Sequence, residues 1–234
     1  HRDLHSFPTR RSSDLLTILR KLYPDYNGIE ALYVELGIGE GCYSSDSGKI
    51  SAQICEQLNV PFHVVNINEK YDLTIDEVHQ LRESFTRVNL SLGKGHFKGE
   101  CSYCGMFKRY SINRFAAENK FTVVATGHNL TDETTSLLNN FFNMDLYFLS
   151  RPGPKSDSDV ENLVPRVKPL FFISEEEIMM YAYYAQVIHL PTECPYSLLA
   201  PNLKLKSIVQ EIESYRQGNM IALMRKYHKV MLPV

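Results

Sequence analysis

The 234-residue chain has no apolar run of membrane-span length, which excludes insertion as a transmembrane helix. Nor does one sign of charge dominate: 25 Lys and Arg stand against 27 Asp and Glu, for a net charge of −2. That balance argues against a surface coated in basic charge for nucleic acid. Cysteines are few and odd in number, at positions 42, 55, 101, 104 and 194, so a secreted disulfide scaffold is excluded. Such usage fits the reducing cytoplasm, where a close cysteine pair reads as a metal or redox site. No internal repeat is present. The remainder, 44% hydrophobic and 22% charged, has the composition of a globular chain, with length for one medium domain or one domain and a small appendage.

Residues 1–15 (HRDLHSFPTRRSSDL) contain no apolar h-region and no small-residue cleavage site, so they are not a secretory signal. The stretch from His5 to Leu15 resembles a sequencing adapter translated in frame. Residues 1–15 are therefore expected to be non-native and to lie outside the fold, with the natural sequence entering near Leu16.

From there strand and helix patterns alternate about every 15 residues, the signature of an α/β fold with a parallel sheet. Leu16–Leu22 has helical apolar spacing, Ile29–Leu36 reads as a buried strand, and GIGEG (37–41) is a glycine loop. A helix over Lys49–Leu58 and a strand over Val60–Ile67 follow. Helices are predicted over 75–90 and 103–119, separated by the loop SLGKGHFKGE (91–100). The strand FTVVAT (121–126) leads to a helix over 131–142, and residues 150–166 form a polar, proline-rich excursion. Ser174 and Glu177 make a capping box for a helix over 175–187. A helix pair completes the chain. The boundaries are thus 1–15 foreign, 16–170 an α/β domain, and 171–234 a helical part.

Cys101 and Cys104 form C-x-x-C at a helix start, where the helix dipole and Lys98, Lys108 and Arg109 would favour thiolates. Cys194, in Thr-Glu-Cys-Pro, is the third candidate. Three cysteines without a fourth suit a cubane iron–sulfur cluster with one iron left open. Zinc would need His96 or His189 as fourth ligand, and a dithiol redox or persulfide pair is the remaining alternative. Cys42 and Cys55 read as bystanders, Cys55 in the core.

After the strand at 121–126, Gly127 would let a ligand approach the backbone at the carboxyl end of the sheet. Asp132, in the first turn of the next helix, could hold a phosphate-bound Mg²⁺, although Asn129, Thr131 and Asp132 also read as helix caps. GIGEG lacks dinucleotide-fingerprint spacing, which leaves a nicotinamide oxidoreductase little support. His128 reads as a structural hydrogen-bonder, and the Tyr181–Tyr184 cluster as core. Lys108 and Arg109 need not face solvent equally, although solvated charge is the default reading for both.

Three segments, LYVELGIGE (32–40), CSYCGMFKRYSINRFAAENKFTVVATGHNLTDE (101–133) and RVKPL…ECP (166–195), carry a resemblance to a known family. They are similar to the PP-loop ATPases that 2-thiolate tRNA, the thiouridine and thiocytidine synthetases of the TtcA/TtuA kind. The resemblance covers residues 16–234 and is nearest to the uridine branch. It implies a Rossmann-like sheet of the HUP, or adenine nucleotide alpha hydrolase-like, class with a helical C-terminal part. It implies a reaction in which ATP adenylates the C2 oxygen of a tRNA pyrimidine and sulfur displaces AMP. It further implies a [4Fe–4S] cluster on Cys101, Cys104 and Cys194, catalytic roles for Lys108 and Asp132, and nucleotide contacts at Val34, Lys108, Gly127 and Asp132. ATP with Mg²⁺, tRNA, a sulfur-donor protein or sulfide, and a homodimer complete the expectation. Cluster-free persulfide transfer with the same cysteines, and a non-catalytic cysteine-based metal module, are the alternatives.

The sequence departs from the family pattern in three places. The glycine-rich pyrophosphate loop SGGKDS should precede Leu16, where the adapter-like residues stand. The zinc-binding cysteine clusters of the family's two ends are missing from this sequence; they would supply zinc and part of a basic surface. The usual aspartate pair after GHNL is Thr131–Asp132 here, leaving one carboxylate. The chain is accordingly expected to be a fragment that binds ATP poorly.

Overall fold

Strand β2 (Ile29–Glu35) is buried on both faces, and its side chains sort by the two-residue period of a strand. Ile29, Ala31 and Tyr33 pack with Leu16 and Cys55, whereas Leu32 and Val34 pack with Ile112, Ala116 and Val124. A computed structural model describes residues 3–7, 10–23, 28–39, 42–92, 99–150, 153–156, 162–188, 192–197 and 202–231.

Within them β2 belongs to a six-stranded sheet ordered β3-β2-β1-β4-β6-β5. The other strands are β1 (Asp3–Phe7), β3 (Phe62–Asn66), β4 (Val123–Ala125), β5 (Lys155–Ser156) and β6 (Arg166–Val167). Pairing is parallel except between β5 and β6. Helices α1 (Arg10–Leu22) and α2 (Tyr43–Gln57) cover one face, joined there by α8 (Glu175–Tyr184) through Ile178. Helices α4 (Ile75–Leu92) and α5 (Glu100–Glu118) lie toward the other, with the short α3 (Ile67–Tyr71) between β3 and α4. The fully buried Leu and Ile side chains each contribute about 1.5–3 kcal/mol of apolar transfer.

The helical C-terminal part shares a core with the preceding domain. Helix α6 (Leu130–Phe142) packs through Leu130 and Leu137 on α9 (Asn202–Tyr215) and α10 (Asn219–Met231), which supply Val209, Met220 and Met224. Leu149 of α7 (Leu146–Leu149) and Phe171 fill the same cluster.

Residues 1–15, expected outside the fold, contribute to it here. β1 occupies the centre of the sheet, with Asp3 level with both Ile29 and Val123. Leu15 and Leu16 of α1 are 1% and 0% exposed. The physical reason is the slot itself: β2 and β4 do not pair with each other, so an open parallel sheet needs a strand between them to satisfy both edges. Strand order reverses between β1 and β4, and ligands of open α/β sheets bind at such a switch point. The connection from β1 to α1, residues 8–9, lies outside the described residues; the family's pyrophosphate loop would stand at this junction.

Candidate active site

Helix α5 begins at Glu100, three residues earlier than periodicity indicates, with Gly99 as an extended N-cap. Both Cys101 and Cys104 therefore sit in the opening turns, and Cys101, Cys104 and Lys108 follow the i, i+3, i+7 spacing of one helix stripe. Arg109 is exposed, whereas Lys108 is half-buried and departs from the solvated default. The early start follows from Glu100, whose carboxylate is 1% exposed yet fully engaged. Arg82 of α4 donates to both its oxygens, at 2.6 and 2.7 Å, and His79 Nδ1 lies 2.8 Å away. Burial pushes the Glu100 carboxyl up, but the Arg82 and His79 bonds overcome it and hold the group below the ordinary carboxylate range. Glu100 was not singled out by sequence pattern; no local spacing announces a partner 18 residues away.

Cys194 comes to the same place by a turn, in which the Ser197 amide donates to the Cys194 carbonyl at 2.9 Å. The Cys101 thiol donates to the Tyr196 carbonyl at 3.7 Å. Cys104 and Cys194 both pack against the cluster containing Leu36, Ile38 and Tyr196, with Tyr43 alongside. The three cysteines thus converge on one region. Burial, then Cys104, Cys194 and Glu100, push the Cys101 thiol up against the lowering effect of Lys108. The Cys194 thiol is also raised, chiefly by burial. Tyr43 is pushed up to about 12 by burial and by Cys194 and Cys104. This corrects the expectation of a favoured thiolate at Cys101: burial first, and then the neighbouring thiols and Glu100, outweigh the one lysine. Lys98, His96 and His189 lie outside the described residues.

A cubane fits this donor set. Three thiols on two segments face one region, with Lys108 to offset anionic charge, whereas Cys55 sits in the opposite core, its thiol pushed up to about 12 by burial. Among the described residues no three Cys, His, Asp or Glu side chains stand ready for a single metal ion.

The β2–α2 loop forms a neighbouring wall. Gly37 has φ +64°, and a Cβ there would lie 2.5 Å from Thr74 Cγ2, so only glycine fits. The Gly39 amide donates to Asp76 Oδ2 at 2.8 Å. Val34 is fully buried, which leaves only its main chain near the carboxyl edge.

Beyond β4, Gly127 is half-buried, and His128 Nδ1 pairs with Thr126 Oγ1 at 2.9 Å. Asn129 and Asp132 form a reciprocal capping box at the start of α6. Lys206 of α9 lies 3.6 Å from Asp132 and 2.7 Å from Glu175. Thr131, which replaces the family's first acid, is buried and accepts the Glu175 amide at 3.1 Å. No described contact joins Asp132 to the cysteine trio. The Tyr181–Tyr184 cluster departs from the core expectation: Tyr183 and Tyr184 are 79% and 78% exposed, because α8 buries only Ile178 and Ala182.

No family model matches the chain. It is 35% identical over 212 residues to a tRNA-5-methyluridine(54) 2-sulfurtransferase of Pyrococcus horikoshii, covering 91% of this chain and 61% of that protein. It is 32% identical over 191 residues to the Thermotoga maritima protein of the same description, covering 81% of this chain and 58% of that one. The chain therefore spans about three-fifths of these relatives. A solved U34-tRNA thiolase, NcsA from Methanococcus maripaludis with its [4Fe-4S] cluster, has the same fold: TM-score 0.81 at 22% identity, covering 100% of this chain and 73% of that one.

Proposed function

We propose, from its 35% and 32% identity to two tRNA-5-methyluridine(54) 2-sulfurtransferases, that the chain is the core of an ATP-dependent tRNA sulfurtransferase of the PP-loop ATPase family of tRNA 2-thiolation enzymes. In this reading ATP adenylates the C2 oxygen of a tRNA uridine or cytidine, and sulfur then displaces AMP. The observation that carries it is the convergence of Cys101, Cys104 and Cys194 beside Lys108.

The three thiolates would hold a [4Fe–4S] cluster, which supplies one iron open to an exogenous sulfur ligand. Lys108 lies on the same stripe of α5 and places its ammonium where anionic charge develops as the adenylate leaves. Asp132, which lies 3.6 Å from Lys206, would hold a Mg²⁺ that neutralises charge on the phosphates. Gly127 and the main chain at Val34 border the adenine nucleotide at the carboxyl edge of the sheet. The partners are tRNA, a sulfur-donor protein or sulfide, and a second copy of the chain.

The test is anaerobic reconstitution with iron and sulfide, followed by thiolation of a tRNA transcript with ATP by a version carrying the SGGKDS loop before Leu16. Iron and sulfide are expected to bind, and Cys194→Ala to lose them. Lys108→Ala is expected to lower thiolation by about 10²-fold or more, the scale for a group that stabilises transition-state charge. Cluster retention in Cys194→Ala, or full activity in Lys108→Ala, overturns the reading; thiolation without bound iron transfers it to a persulfide route.

A further inference from the structure

One face of α4 touches everything that carries the three thiols. Asp76, His79 and Arg82 are spaced three residues apart, so they share a side of the helix. Arg82 and His79 hold the buried Glu100, the residue before Cys101, and so fix the opening turn of α5. Asp76 Oδ1 accepts the Tyr196 hydroxyl at 2.8 Å, and the His79 ring lies 5.0 Å from the Tyr196 ring. Tyr196 is two residues after Cys194, is 8% exposed, and accepts the Cys101 thiol on its carbonyl. The other oxygen of Asp76 takes the Gly39 amide, tying the β2–α2 loop to the same point.

We propose that Asp76, His79 and Arg82 are positioning residues that hold the Cys101–Cys104 turn and the Cys194 turn in register. The two segments lie some ninety positions apart in sequence, and the covalent path between them runs through β4, α6, α7, β5, β6 and α8. A shared docking face replaces that path with two short anchors. Glu100 is the anchor on one side, and the Tyr196 hydroxyl the anchor on the other. Helix α4 thus sets how far apart the sulfurs stand, which decides what they can ligate together. The inference deepens the proposed reading, in which the three sulfurs act as one ligand set, but its test does not need iron.

In the iron-free chain, diamide takes two electrons and two protons from a thiol pair and leaves a disulfide, itself becoming the hydrazine. The rate at which Cys194 becomes linked to Cys101 or Cys104, read by mass spectrometry of the joined peptides, reports sulfur spacing. Tyr196→Phe and Asp76→Ala are expected to slow it by about threefold to tenfold, the fold-change of one hydrogen bond. Asp76→Asn can accept the Gly39 amide on its oxygen and donate its NH2 to the Tyr196 hydroxyl oxygen, and is expected to restore the parent rate. Melting midpoints should stay near the parent's, since Tyr196→Phe keeps the ring and its packing.

Rates equal to the parent in all three variants overturn the proposal. So do rates that fall only in step with the melting midpoint and are not rescued by Asp76→Asn. If the parent shows this rate pattern yet takes up no iron and sulfide, the cluster reading fails and the role of α4 stands. In a reconstituted chain, Tyr196→Phe is further expected to change the electron paramagnetic resonance line shape of the reduced cluster; an unchanged line shape counts against the proposal.

Discussion

At the scale of single residues, Asp132 and Glu100 show how one carboxylate can serve two ends. Asp132 closes the cap of α6 and also meets Lys206, so its cap role and its proposed metal role must be separated. Asp132→Asn retains an oxygen for the Asn129 amide and is expected to keep the melting midpoint while losing Mg²⁺-dependent ATP binding, measured by calorimetry on the loop-bearing version. Asp132→Ala is expected to lose both, with about 1 kcal/mol of stability gone. Equal ATP binding by Asp132→Asn and the parent would leave Asp132 as a cap only. For Glu100 the sign follows from its lowered carboxyl. The stabilisation is complete above the unfolded carboxyl pKa of about 4.3 and fades as pH falls through the lower folded value. Arg82→Ala strands a buried carboxylate and is expected to cost about 3 kcal/mol, with His79 remaining as partner. Urea midpoints from pH 7 to pH 3 check this: the gap between parent and variant should narrow in acid.

At the scale of elements, caps were more legible than boundaries or surroundings: α2 starts at Tyr43, six residues before its apolar spacing indicates. The capping box at Ser174 and Glu177 forms as its spacing requires, because both partners lie within one helical turn. Helix α5 starts early because a partner on α4 permits a buried acid in its first turn, information absent from the local sequence. The exposure of Tyr183 and Tyr184 was equally invisible, since apolar character does not tell which side of a helix finds a neighbour. The β2–α2 loop yields its own prediction. Gly37→Ala is expected to destabilise the chain by about 1–3 kcal/mol, because the left-handed backbone and the Thr74 side chain both oppose a methyl group. A denaturant titration checks it, while Gly99→Ala, with open space around the added Cβ, should change stability far less.

At the scale of the whole molecule, the central strand is the point of tension between sequence and fold. Residues that resemble a translated adapter occupy the position flanked by β2 and β4. Deleting residues 1–9 uncovers two strand edges at once and is expected to abolish cooperative thermal unfolding, measured by circular dichroism. Unchanged unfolding after that deletion would return the segment to the role its composition suggests. The same sheet order sets the β1–β4 reversal at the edge where Gly127 and the first turn of α6 open.

The sequence by itself determined the alternation of strand and helix, the separation of Cys55 from the site cysteines, and the cysteines and lysine worth watching. Periodicity and helix spacing are local properties, and i, i+3, i+7 places Cys101, Cys104 and Lys108 together without any tertiary knowledge. Only the tertiary structure decided that Cys194 joins them and that Asp76, His79 and Arg82 stand behind both segments. It also decided that the thiols of Cys101 and Cys194 are raised. Those outcomes depend on distances across the fold and on burial, and both arise only when remote parts of the chain exclude water from the same space.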